Sequence, residues 1–358
     1  MADAVAPKPV LDKKKSIVLG LVGLVVIVII FVRVIPQIGS YQDALTSLQA
    51  MTVGALVAIV VSVLVYLAAY GLPFMAATPG LPYWRSQQLN QAAFAISNGV
   101  PAGGAFGLGV QYAMLASFGV EPTVSTAAIS AVGVWSIFVT LGLPILGVVA
   151  IQLSGQSASS YVWLGLLGLL ILVVAIVAFA LIIRSEGAAR RIGSIGDRVA
   201  APFARRFAKG RSVDLVPMAL KFRSDIAGLV TRRWPAITGA QLSVSVTQYL
   251  IFYVALRGVE GPSSTSTSFL VAFGSFGVAQ LGMMIPITPG GLGTVDAAMI
   301  ALLTALGVDS GAATAADLVW RAASFVPQII IGVIALITWS HKGSQALAAR
   351  DAARREQG

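Results

Sequence analysis

The chain has 358 residues, of which 57% are hydrophobic and only 11% charged, with a formal net charge of +10. Soluble domains carry roughly 25% charged residues, so the composition describes a membrane protein, in which helix count rather than length sets the architecture. The absence of cysteine excludes disulfides, thiolate nucleophiles and cysteine-ligated metals, and the basic residues cluster beside apolar runs, which points to topology and anionic lipid rather than nucleic acid.

In chain order, Lys13, Lys14 and Lys15 precede an apolar run from Ser16 to Val34. That run is too long for a signal-peptide core and has no small-residue cleavage site, so it predicts a retained first span behind a cytoplasmic tail, 1–15. Further spans are predicted near 51–72, 126–150, 160–183, 235–257 and 316–339. Between the fourth and fifth spans lies a basic segment, 184–234, in which Arg190, Arg191, Arg205, Arg206, Arg232 and Arg233 predict a cytoplasmic location. Within it, Ile192, Ile195, Val199, Phe203 and Phe207 recur at three- and four-residue steps. The pattern fits an amphipathic helix on the inner leaflet, or a solvated linker that snorkels its arginines. The tail 341–358 is basic and belongs on the same side, with the single histidine, His341, as an interfacial residue. Both termini are therefore expected in the cytoplasm, with a first membrane half at 16–183 and a second at 235–340.

Two segments, 88–119 and 268–308, are broken in the middle by proline and glycine. The charge-derived topology makes the first enter and leave on the cytoplasmic side and the second on the outer side. They also share an order of residues. Pro101, Gly103-Gly104, Gly119-Val120, Val134-Trp135, Pro144 and Gly147-Val148 correspond to Pro289, Gly290-Gly291, Gly307-Val308, Val319-Trp320, Pro327 and Gly332-Val333. The expected fold is all-α and polytopic, with about six spans and two oppositely oriented re-entrant hairpins forming an inverted repeat.

Non-helical backbone at depth must be buried or line a wet cavity, so two such tips predict a site where they meet. Pro101, Gly103 and Gly104 in the first tip, and Pro289, Gly290, Gly291 and Gly293 in the second, are the candidate turn residues; alternatively the glycines serve close helix packing alone. Asp296 follows the second turn, and Asp317 and Arg321 lie four residues apart on the last span. Charges inside a bilayer pair or line a pathway. Asp296 is expected near Arg321, either with Arg321 engaging a lipid phosphate or as a structural lock between hairpin and span. Asp317 is expected at the outer interface if it has no partner. Asn90, Gln91, Asn98, Gln111 and Tyr112 on the first hairpin, Asn98 and Gln111 foremost, are candidate headgroup contacts; alternatively they only bond neighbouring helices.

The stretches "PITPGGLGTVDAAMIALLTALGV" and "LVWRAASFVPQIIIGV" resemble the lysylphosphatidylglycerol synthase transmembrane-domain, or flippase-like, family. The resemblance rests on Pro289, Gly290, Gly291, Gly293, Asp296, Gly307, Val308, Arg321, Pro327 and Gly332. It departs at Asp296, where the family usually has glutamate, and in the first repeat, which lacks an arginine after its turn. The resemblance implies movement of lipids between leaflets, and the short tail leaves no room for the soluble synthase domain that some members append. A flippase of the cell membrane is therefore expected, taking anionic phospholipid headgroups and working by alternating access, without enzymatic activity, cofactor or metal. Its glycine-rich faces permit a homodimer. The alternatives are an intramembrane enzyme acting on a lipid-linked substrate, with Asp296 as acid or base, and a scaffold for lipid-synthesis partners.

Overall fold

The computed structural model describes residues 51–99, 103–156, 159–207, 215–261, 267–284 and 289–356, together with positions 45, 46 and 49. The predicted span 16–34 and Pro101 lie outside the described residues, as do the side chains of His341 and the basic tail. The described residues form helices and no strands. In order they are α1 Val53–Tyr70, α2 Leu72–Ala77, α3 Tyr83–Gly99, α4 Gly103–Ser117, α5 Pro122–Leu153, α6 Ser159–Arg184, α7 Glu186–Phe207, α8 Leu215–Glu260, α9 Phe269–Ala279, α10 Thr294–Ala305 and α11 Ser310–Glu356. Four helical stretches are long and apolar enough to cross a membrane: Val53–Ala77, Pro122–Leu153, Ile226–Glu260 and Ser310–Trp339.

Many large aliphatics of the spanning helices face outward, while small and polar residues are buried among a few large ones. α1 buries Ile59, Ser62, Tyr66 and Ala69 at three- and four-residue steps, while Val57, Val60, Val61 and Leu64 are exposed. On α11 the buried residues include Ala312, Ala313, Ala315 and Ala316 with the polar Thr314, Ser324 and Gln328, besides Trp320. Lipid gives no hydrophobic drive for burying leucine, so close packing of small residues holds such helices together.

Both broken segments are helical hairpins, α3 with α4 and α9 with α10. α9 and α10 have 11 and 12 residues, or about 17–18 Å each at 1.5 Å per residue, well short of a hydrocarbon core of roughly 30 Å. The second arms end identically. Val120 N–H donates to Leu115 O and Gly119 N–H to Ala116 O at 3.0 and 3.1 Å; Val308 to Leu303 O and Gly307 to Thr304 O repeat those distances. Gly119 and Gly307 hold φ of 89° and 90°, the left-handed residue that this helix ending requires. The two Gly-Val pairs are thus one motif used twice, each leading into a helix that carries a buried tryptophan, Trp135 or Trp320.

The two halves pack on each other reciprocally. α5 lies on α9, the first arm of the second hairpin, and α11 lies on α3, the first arm of the first. A Cβ at Gly147 would stand 2.8 Å from Gly274 O, one at Gly277 would stand 2.6 Å from Leu143 O, and one at Gly332 would stand 2.2 Å from Gln91 O. Gly147 and Gly332, paired in the sequence pattern, therefore make equivalent backbone-to-backbone crossings against opposite halves.

The basic segment differs from its expected form. A span beginning at Pro235 was predicted, but α8 runs unbroken from Leu215 through Pro235. Proline removes one helical hydrogen bond there, and tertiary contacts hold the turns on either side. Arg233 Nη1 donates to Ala76 O at 3.2 Å, and Trp135 Nε1 donates to Thr238 Oγ1 at 2.7 Å. α7 is the predicted amphipathic helix, and Gly193 and Gly196 bring it against the start of α8 at Leu215 and Val216. Asp197 caps that start, accepting from Leu215 N–H at 2.7 Å.

Candidate functional site

The tip of the α9–α10 hairpin carries a tight turn, Pro289–Gly291, and from there to the N-cap of α10 Gly290, Gly291 and Gly293 all have positive φ (62°, 66° and 87°). Side-chained residues rarely adopt this conformation, and three in a row of five explain why the sequence is so rich in glycine here. Asp296, in the first turn of α10, accepts from the Gly293 N–H and from Arg321 Nε. Arg321 also donates through Nη1 to Gly290 O and through Nη2 to Gly291 O, both at 3.3 Å. Its guanidinium lies 4.4 Å from the Trp320 ring centroid and 5.1 Å from that of Phe325. Asp296 is fully buried and Arg321 is 5% exposed. The predicted pair is formed, and every guanidinium nitrogen fastens the turn to α11. Asp317 is fully buried one turn before Arg321, in the field of both partners, and not at an interface.

The tips of the two hairpins meet. A Cβ at Gly290 would lie 2.8 Å from Asn98 Oδ1 and 2.8 Å from the Phe325 ring. Beside this contact is a cavity of about 410 Å³, walled by α1, α3, α4, α5, α8, the second tip and α11. Its polar wall includes Asn90, Asn98, Gln111, Gln241, Gln248 and Gln280; its aromatic wall includes Tyr70, Phe94, Trp320 and Phe325. Arg321 is the charged residue on the wall, and among the described residues no carboxylate lines it. On the other side of α5 is an apolar groove of about 890 Å³ between α5, α6 and α8, lined by Phe138, Leu146, Phe179, Ile183, Trp234 and Leu242 among others, with Arg184 also on its wall. Val139 and Leu143 line both spaces.

Of the residues proposed from sequence, Asn90, Asn98, Gln111, Gly290 and Arg321 are on the cavity wall, and Gln91 and Tyr112 are not. Gly291, Gly293 and Asp296 build and brace the tip from behind it. Gly103 packs within its own hairpin, where a Cβ would meet Ile96 O at 2.1 Å, while Gly104 faces open space. Pro289 contributes backbone to the turn, and its side chain, like Pro101, is outside the described residues. The sequence reading missed Tyr70, Gln241, Gln248 and Gln280. Gln241 and Gln248 are seven residues apart on one apolar helix, a spacing that puts two amides on one face and could have signalled a polar lining.

The family model of the lysylphosphatidylglycerol synthase TM region matches residues 17–332. The chain belongs to that family. No curated protein matches it. The family match takes in both hairpins, the cavity and the groove, and the chain is a polytopic helical membrane protein of lipid-related type. The aspartate standing where the resemblance leads one to expect glutamate still reaches Arg321. In the first repeat, which lacks the arginine, Gln111 occupies the wall.

Proposed function

We propose that the chain carries a lipid between the leaflets of the cell membrane, the headgroup passing through the polar cavity while the acyl chains remain in the apolar groove. The observation that carries this reading is the junction at Val139 and Leu143, where a polar space and an apolar one share a wall. An amphipathic molecule has that division, and a water-soluble substrate has no use for the groove. The short arms of the hairpins support their reading as re-entrant segments, and the charge-derived topology supports opposite orientations with both termini cytoplasmic. The reciprocal packing supports an inverted repeat whose halves rock against each other in alternating access. An anionic phosphate, the headgroup expected from the sequence, would have Arg321 as its charged contact. Transport is favoured over chemistry on a lipid-linked substrate because Asp296 and Asp317, the buried carboxyls, stand behind the cavity wall rather than on it.

The test is leaflet exchange of labelled lipids in liposomes reconstituted with the protein. Exchange well above that of empty liposomes is expected, and Val139→Trp, which fills the junction, is expected to abolish it. Exchange no faster than in empty liposomes across a panel of headgroups would overturn the proposal.

A further inference from the structure

The wall of the cavity is polar but close to neutral, and its hydrogen-bonding groups are of two kinds. Asn90, Asn98 and Gln241 each donate their amide N–H to a backbone carbonyl, of Tyr70, Phe94 and Val132 respectively, at 2.9, 3.1 and 3.0 Å. Those bonds fix the orientation of the amide groups and leave each of them a side-chain oxygen, an acceptor, and one further N–H for a ligand. Gln280 presents the opposite need. It is 4% exposed, and its Nε2, a donor, has no partner. A buried donor left unpaired is costly, so this one calls for an acceptor from a bound molecule. The one charged group on the wall, Arg321, is already engaged through all three nitrogens by Asp296, Gly290 and Gly291.

A deprotonated phosphate or carboxylate only accepts, so it would satisfy Gln280 and the remaining amide N–H groups but leave the oxygens of Asn90, Asn98 and Gln241 without a donor. An ammonium group only donates, so it would satisfy those oxygens and leave Gln280 unpaired. A hydroxyl does both. The aromatic side chains of Tyr70, Phe94 and Phe325 also line the cavity, and a mixed aromatic and polar wall suits a ring that is apolar on its faces and hydroxylated at its rim. The volume lies within the roughly 300–1,000 Å³ typical of small-molecule sites. We infer that the cavity selects a lipid with an uncharged, hydroxyl-rich headgroup of the glycosyl type, and that Gln280 is one of its contacts. The inference rests on the lipid-carrying reading and replaces the anionic headgroup expected from the sequence with an uncharged one.

The experiment is competitive lipid retention by the purified full chain, read by native mass spectrometry. The probes are monoglycosyl diacylglycerol, phosphatidic acid and phosphatidylethanolamine with identical acyl chains. The glycosyl lipid is expected to be retained about tenfold over either competitor, a ratio that one or two well-placed hydrogen bonds supply. Gln280→Leu is expected to erase most of that preference, and Gln248→Leu, at a half-buried position on the opposite wall, to weaken it with the fold intact by thermal melting. Equal or better retention of phosphatidic acid or phosphatidylethanolamine overturns the inference, as does an unchanged preference in both variants. Retention needs no leaflet exchange. A chain that holds the glycosyl lipid yet never moves it sinks only the transport reading, and one that moves lipids without this preference sinks only the present inference.

Discussion

Asp296 holds a helix start and a cation with one carboxylate, accepting from the Gly293 N–H and from Arg321. Asp296→Asn keeps the shape but leaves a buried guanidinium without its counter-charge, which costs about 3–5 kcal/mol; a large drop in melting temperature in detergent is expected, while Asp296→Glu should stay nearer the native value. Unchanged melting in Asp296→Asn would mean that the glycine carbonyls alone hold Arg321. The paired glycines of the two tips differ in what they tolerate. At Gly290, with φ of 62° and Asn98 and Phe325 both within 2.8 Å of a new Cβ, alanine is expected to cost about 1–3 kcal/mol. At Gly104, helical and facing open space, alanine is expected to be neutral or to stabilise by up to about 1 kcal/mol. Thermal unfolding of the two variants side by side decides the matter.

At the level of elements, much was legible because helix breakers act locally. Pro-Gly-Gly marked the second tip, and the Gly-Val pairs, read from sequence only as part of the repeat, prove to be helix ends whose hydrogen bonds depend on one left-handed residue. The course of α8 was illegible for the complementary reason. A proline at 235 argues locally for a boundary, and Arg233 and Trp135, acting from outside the local sequence, override it. The cavity was half legible. Asn98 and Gln111 sit beside a recognisable break, but Tyr70, Gln241 and Gln248 belong to helices whose apolar runs read as plain spans. Helix α7 offers a test at its exposed start. The hydrogen bond from Arg190 to Glu186 at 2.8 Å, followed by the charge of Arg190, holds the Glu186 carboxyl below its ordinary 4.5. The pair's support for α7 is therefore present above that value and is lost as pH falls through the lower folded one. Carbon NMR of the labelled carboxyl should show the depressed titration, and Arg190→Gln should return it to the ordinary range. The pair is fully solvated, so global melting should barely respond.

Across the whole molecule, the two halves are held by crossings that belong to neither half alone. Leucine at Gly147 or at Gly332 would push a side chain into the opposite half's first hairpin arm, at Gly274 or Gln91. Either substitution is expected to lower the melting temperature sharply, by the overpacking cost of about 1–3 kcal/mol or more. Gly239→Leu, on an exposed face of α8 with nothing near a new Cβ, should be tolerated. If all three variants melt alike, the crossings contribute no more than the lipid-facing surface does.

The same crossings set an order on biosynthesis. The face of α3 that Gly332 covers is made early, and its cover, α11, leaves the ribosome well after it. Roughly two hundred residues of translation separate them, a wait of about 10–40 s at about 5–20 residues per second. For that interval the nascent first hairpin must shelter its Gln91 backbone against something other than its native partner. A membrane chaperone, or the insertion machinery itself, would serve, and truncation of the chain before α11 should leave the first half exposed to quality-control proteolysis.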